Sequence, residues 1–311
     1  MKVLVTCPPM VRMIEEFRPR FAALGVEVDA PAVVQTLPEA ELIQMLPAYD
    51  GWIIGDDPAT RAVFAAGMAG KLRAAVKWGV GVDNVDFVAA RELGLPITNT
   101  PGAFGGEVAD VAVAYVIMLA RELMTIDRGV RAGGWPKPAG ISLAGKTVGL
   151  VGFGDIGRNV GKRLAAADMR LIAYDPGLSE APPIAELAAW PARVEECDFL
   201  VFTCALTPKN CHMLNADVLA RARRGVRVVN VARGPLIDEA ALIAALGSGQ
   251  VRSAALDVFE VEPLPTDSPL RAIEQCVFGS HNGSNTVDAV RRTSERAIGL
   301  LAGFLGLETA R

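Results

Sequence analysis

The sequence predicts an α/β chain of two doubly wound parallel-sheet domains. Three observations lead there. Short β-like runs alternate with Ala-rich helical stretches from end to end. The alternation comes in two sets, broken at Pro101-Gly102 and restarted at Gly145-Lys146-Thr147. The core must also be aliphatic, because hydrophobic residues make up 51% of the sequence and aromatics 6%. Such a core suits parallel sheets wrapped by helices, and 311 residues suffice for two domains.

The first set reads as strands at 1–6, 27–30, 51–54, 75–78 and 97–99. Helices at 11–24, 38–46, 60–66 and 85–93 lie between them. After the break, one long helix is expected over 106–132. Its apolar face is Val108, Val111, Ala112, Tyr115, Val116 and Leu119, and Arg121, Arg128 and Arg131 make its end basic. Such a helix is expected to pack between domains or subunits. The second set reads as six strands, at 148–152, 170–174, 199–204, 226–231, 254–258 and 277–279. A last helix, 287–305, is expected to return to the first domain. The expected division is 1–100 plus 287–311 for one domain, and 101–286, including the interdomain helix, for the other.

Composition narrows the function classes. A formal net charge of −4 gives no reason to expect a nucleic-acid partner. No window holds eighteen uninterrupted apolar residues, so no membrane span is expected. The start turns at Pro8-Pro9, too early for a secretory signal. Cys7, Cys197, Cys204, Cys211 and Cys276 are odd in number and irregularly spaced. They form neither a disulfide framework nor a zinc pattern, so reduced thiols in the cytoplasm and no metal are expected.

The strongest local motif runs from Val148 to Arg158. An apolar strand enters Gly152-Phe153-Gly154-Asp155-Ile156-Gly157, a Gly-x-Gly-x-x-Gly pattern, and then a helix. Gly152 permits the tight turn, Gly154 lets backbone approach a diphosphate, and Gly157 lets the helix pack on the strand. The helix start, with Asp155 and Ile156, then lines a diphosphate site of Rossmann type. About twenty residues on, a second strand ends at Asp175, where an acid is expected on the ribose diol. That carboxylate repels a 2′-phosphate, and Pro176-Gly177 offers no cation to hold one. NAD is therefore expected rather than NADP.

Three polar residues follow apolar strands of the second set: Arg233, Glu262 and His281. Doubly wound sheets bind ligands at such strand ends. Arg can fork onto a carboxylate. His can give or take a proton near neutrality, and a neighbouring Glu favours its imidazolium form. The trio suits reduction of a 2-keto acid. The only other histidine, His212, has no acidic neighbour in sequence and is expected to be solvated or to cap a helix.

Several blocks resemble the D-isomer-specific 2-hydroxyacid dehydrogenase family over nearly the whole chain. They are Gly79-Val80-Gly81-Val82-Asp83-Asn84-Val85-Asp86, Asn99-Thr100-Pro101-Gly102 leading to Val108-Ala109-Asp110, the stretch Gly225 to Gly234, and the stretch Ala254 to Pro263. The resemblance implies that Arg233 binds the substrate carboxylate, Glu262 partners the histidine and His281 is the acid/base. It implies that Asp257 bonds the nicotinamide carboxamide. Cys204, Val231 and the Val80 backbone would line the cofactor, and Val80 and Gly81 would belong to the substrate loop. It also implies a homodimer through the long helix, and a substrate domain built from the N-terminal part and the last helix.

There are departures. Gly279-Ser280 stands where the family usually has Thr-Pro, and Asp110 where many members have Glu. Glu262 argues against formate as substrate, because formate dehydrogenases carry Gln there; Val80, in place of a Lys, argues against phosphite. The central blocks look closest to phosphoglycerate dehydrogenase, and Lys77 is placed to meet a substrate phosphate. Against this, Asp56 and Asp57 stand where those enzymes often place an arginine, and would repel it. No added regulatory domain is expected beyond Arg311. Glyoxylate or hydroxypyruvate reduction is the rival reading. A different class, the C-terminal-binding corepressors, keeps the fold and the Arg/Glu/His set but works as an NAD-sensing binding protein.

Overall fold

A computed structural model describes residues 1–307. The chain forms two compact units, Met1–Phe104 with the segment from Asn285 onward, and Gly105–Ser284. In the first unit β1 (Lys2–Val5) leads through α1 (Pro8–Arg12) and α2 (Ile14–Ala23) to β2 (Glu27–Asp29). Then come α3 (Glu39–Met45), β3 (Gly51–Ile54), α4 (Arg61–Ala69), β4 (Ala74–Lys77), α5 (Phe87–Leu93) and β5 (Ile97–Asn99). The strands pair in parallel in the order β2-β1-β3-β4-β5. Every residue of β3 and β4 is buried, as expected of strands covered on both faces. Thr60 and Asp86 start α4 and α5 by accepting the N–H of Val63 and Ala89, the usual means of satisfying a free helix end.

The second unit opens with α6 (Gly105–Arg121) and α7 (Leu123–Arg131), followed by β6 (Thr147–Val151), α8 (Asp155–Ala165), β7 (Arg170–Tyr174) and β8 (Glu186–Leu187). It continues with β9 (Phe199–Phe202), α9 (Ala216–Arg221), β10 (Val226–Asn230), α10 (Glu239–Ser248), β11 (Val251–Leu256) and β12 (Cys276–Phe278). The order is β12-β11-β10-β9-β6-β7-β8, parallel throughout. Its largely aliphatic core runs through Ile172, Leu200, Val228, Leu242 and Leu256, with Phe202 among them. The last helix, α11 (Val287–Phe304), belongs to the first unit, where its Ser294 hydroxyl accepts the Trp78 indole N–H at 3.1 Å. Both units are doubly wound parallel sheets, and the second has the Rossmann strand order.

Three details differ from the sequence reading. The long helix over 106–132 is two helices, because Glu122 adopts φ 52 between them. A non-glycine residue rarely holds that conformation; here Arg252 grips the Glu122 carboxylate at 2.8 Å. The helix over 11–24 is likewise divided at Met13. A seventh strand, the two-residue β8, pairs with Ile172 and Ala173 at the sheet edge; two residues are too short to show a period. Among the described residues, no helix is long and apolar enough to cross a membrane.

Candidate functional site

In the second sheet the strand order reverses between β6 and β9, and the glycine turn lies at that switch point. Gly152 has φ 94, and a Cβ there would come within 2.6 Å of the Cys204 backbone. A Cβ at Gly157 would overlap the Gly152 carbonyl. Both positions demand glycine for close approach. Gly154 is different: it is exposed, and an added Cβ would meet no atom within 4 Å. Backbone here lies open at the start of α8, and no side chain caps that helix. Asp155 is exposed, Ile156 half-buried.

Asp175, just past β7, faces this turn. Its carboxylate accepts the Phe153 N–H at 2.7 Å and the Gly177 N–H at 2.8 Å. An open glycine backbone, an uncapped helix start and an acid beside them fit a dinucleotide with a free ribose diol. Cys204 and Val231 end the neighbouring strand segments, Cys204 half-buried and Val231 buried.

The strand-end trio lies on the adjacent strands β10, β11 and β12. Asn230, buried at the end of β10, clamps the Arg233 segment: its amide donates to the Arg233 carbonyl at 2.8 Å and accepts the Ala232 N–H at 3.0 Å. A Cβ at Gly234 would overlap the Phe259 carbonyl, so the Arg233 loop rests directly on the turn after β11. That turn carries Glu262, which accepts the Phe259 N–H at 2.9 Å with one oxygen. The other lies 2.7 Å from His281 Nδ1. A carboxylate can only accept, so Nδ1 carries the proton and Nε2 is left for chemistry.

The His281 loop hangs on Asp257. The Asp257 carbonyl accepts the His281 N–H at 2.7 Å, and its carboxylate accepts those of Asn282 and Gly283 at 3.1 and 2.8 Å. His281 itself sits at φ 55. The resemblance assigned Asp257 to the cofactor; its place beneath the histidine loop was not foreseen. Nor was the Asn230 clamp, although a lone amide in the apolar run Val226 to Val231 was the visible signal.

His212 is exposed, as expected of a solvated histidine, and its Nε2 also lies 2.7 Å from Glu260 Oε1, a residue distant in sequence. One expectation is corrected. Lys77, expected to meet a substrate phosphate, is turned inward. Its ammonium donates to the Gly55 carbonyl at 2.5 Å and to Asp56 at 2.9 Å, and its side chain is 3% exposed. Asp57 beside it is buried, accepting the Thr6 hydroxyl and the N–H groups of Leu37 and Gly55. Burial pushes its carboxyl above the usual range, while those hydrogen bonds pull it back.

Val80 and Gly81 lie in an exposed loop after β4 that Asn99 holds through the Gly79 and Val80 carbonyls. Among the described residues all five thiols are free. Burial pushes Cys197, Cys204 and Cys276 up to about 11, and Cys7 higher still.

Comparison with known proteins agrees with this geometry. The family model described as "D-isomer specific 2-hydroxyacid dehydrogenase, NAD binding domain" matches residues 113–283. A hydroxypyruvate reductase of Thermotoga maritima is 37% identical over 277 residues, covering 87% of this chain and 90% of its own. A D-3-phosphoglycerate dehydrogenase of Methanocaldococcus jannaschii is 34% identical over 304 residues, 93% of this chain but 54% of that protein. A solved structure from Thermus thermophilus superposes with TM-score 0.87 at 33% identity, over 98% of this chain and 97% of the other. The chain belongs to the D-isomer specific 2-hydroxyacid dehydrogenase family. It is accordingly an NAD-dependent dehydrogenase.

Proposed function

We propose that this chain interconverts a small D-2-hydroxy acid and its 2-keto acid, with His281 as the acid/base, Glu262 as its partner and Arg233 as the carboxylate anchor. The observation that carries the reading is the 2.7 Å contact between His281 Nδ1 and Glu262 Oε2. NADH, when bound, supplies the hydride. Arg233 holds the acid's carboxylate and polarises the adjacent carbonyl. Glu262 fixes the imidazole ring and favours its charged form, so that Nε2–H can protonate the forming alkoxide. In the oxidation direction the neutral ring takes that proton back.

The first unit, with Val80 and Gly81, is assigned to the substrate, and the second to NAD. We also assign a homodimer. No residue of α7 is buried although Leu123, Ile126 and Val130 form an apolar stripe, and Trp135 beyond it is 77% exposed. An unpartnered amphipathic face beside an exposed tryptophan supports a protein contact. Five free thiols suit a reducing, cytoplasmic setting.

The test is NADH oxidation with a panel of 2-keto acids. His281→Ala should lower kcat by roughly 10²–10⁴, the usual worth of a positioned acid/base, and leave NADH binding nearly intact. His212→Ala should change kcat little. Equal losses in the two variants would sink the assignment.

A further inference from the structure

The carboxylate beneath the His281 loop is short of donors. Asp257 is 2% exposed. Its oxygens accept one N–H each, from Asn282 and Gly283, at 3.1 and 2.8 Å. Among the described residues no lysine or arginine pairs with it. Burying a carboxylate is costly unless hydrogen bonds replace the lost water. Its two oxygens offer about four acceptor sites, so about half of them remain open.

The hydroxyl that borders this carboxylate is that of Tyr115, a residue of α6 that is only 8% exposed. A Cβ built on Gly279 would come within 2.6 Å of the Tyr115 oxygen and 3.0 Å of the Asp257 carboxyl carbon. Hydroxyl and carboxylate therefore border one small space. Among the described residues the hydroxyl has no hydrogen-bond partner. Burial first, and the Asp257 charge second, push its phenol up, so it keeps its proton and stands as a donor beside an acceptor. Gly279 occupies the place where the family usually has threonine, and a side chain there would overlap Asp257. At the point the glycine leaves bare, α6 brings a hydroxyl instead.

We infer that Tyr115 is a positioning residue for the nicotinamide end of the cofactor site: its hydroxyl donates to Asp257 across the space at Gly279 and holds that carboxylate for the carboxamide N–H. With the hydroxyl and the carboxamide added to the two backbone amides, the acceptor sites of the buried carboxylate are filled. The same carboxylate carries Asn282 and Gly283, so Tyr115 also steadies the loop of His281. The inference rests on the assignment of Asp257 to the carboxamide.

The experiment measures by calorimetry the Kd of NADH and of ADP-ribose, which lacks the nicotinamide, for the full chain and for Tyr115→Phe. The variant keeps the buried ring and loses only the hydroxyl. NADH should bind it roughly tenfold more weakly, the effect of one hydrogen bond to a charged group. ADP-ribose should bind both proteins alike, which also shows that the variant is folded. Unchanged NADH affinity, or an equal loss for ADP-ribose, would overturn the role of Tyr115. Wild-type affinity for the acetylpyridine analogue of NADH, which has a methyl where the carboxamide has its amino group, tests the Asp257 assignment separately. That analogue should bind the wild type more weakly than NADH does. Binding as tight as that of NADH would overturn the assignment, and this inference with it.

Discussion

Gly279 leaves open the space that the Tyr115 hydroxyl and the Asp257 carboxylate share. A Cβ at Gly279 would come within 2.6 Å of the Tyr115 oxygen and would overlap Asp257. Asp257 in turn carries the backbone of the His281 loop. Gly279→Ala is therefore expected to push that carboxylate off Asn282 and Gly283 and to displace the histidine. A displacement on the order of 1 Å near reacting atoms can cost about 10²-fold in rate. Steady-state kcat, with a melting curve for control, measures it. An alanine variant of wild-type rate would show that the loop is set elsewhere.

Glu262→Gln tests the dyad through pH. Reduction of the keto acid needs the charged imidazole, so activity falls as pH rises through the point where His281 loses its proton. Removing the carboxylate 2.7 Å away withdraws support from the charged form. The alkaline limb of the reduction profile should therefore move to lower pH. A profile that does not move would mean that Glu262 holds only backbone.

Asp175 is proposed to govern cofactor choice. It already accepts from Phe153 and Gly177, which pins a carboxylate beside the glycine turn, and a carboxylate there repels a 2′-phosphate. NADH should bind far more tightly than NADPH in a fluorescence titration. Asp175→Ala combined with Gly177→Arg should narrow the gap. Equal affinity for the two nucleotides in the wild type would refute the role.

Helix α7 is the test of assembly. Leu123→Glu together with Val130→Glu places charges on its apolar stripe, and these residues touch no core. Sedimentation should show the wild type at twice the mass of one chain and the double variant at the single mass. A wild type that sediments as one chain would remove the dimer.

How much of this could be read beforehand follows from the range of each interaction. The glycine turn and Asp175 were legible because their meaning is local: a strand, a turn and a helix contiguous in sequence, then an acid at the next strand end. Arg233, Glu262 and His281 were legible as strand-end residues, since neighbouring strands bring their ends together. Lys77 was misread because its partners, Gly55 and Asp56, come from another strand, and sequence does not say which way a terminal lysine turns. The partner of His212 was hidden for the same reason, Glu260 standing beyond β10 and β11. The break at Glu122 carried no glycine or proline to announce it. The contact its carboxylate makes is with an arginine distant in sequence, Arg252.

The pattern of thiol burial gives the chain a chemical simplicity that has a practical use. Alkylating reagents attack thiolates, and a thiol held up to about 11, as Cys197, Cys204 and Cys276 are, is ionised in only about one molecule in ten thousand at pH 7. Cys7 is buried and held higher. Cys211 is the exposed thiol among the described residues, next to the His212 ring that meets Glu260. A maleimide dye added to the unmodified chain should therefore report from one place, beside a histidine that contacts Glu260 in the turn carrying Glu262. No cysteine need be engineered in or out to watch that turn respond to NADH or to an acid.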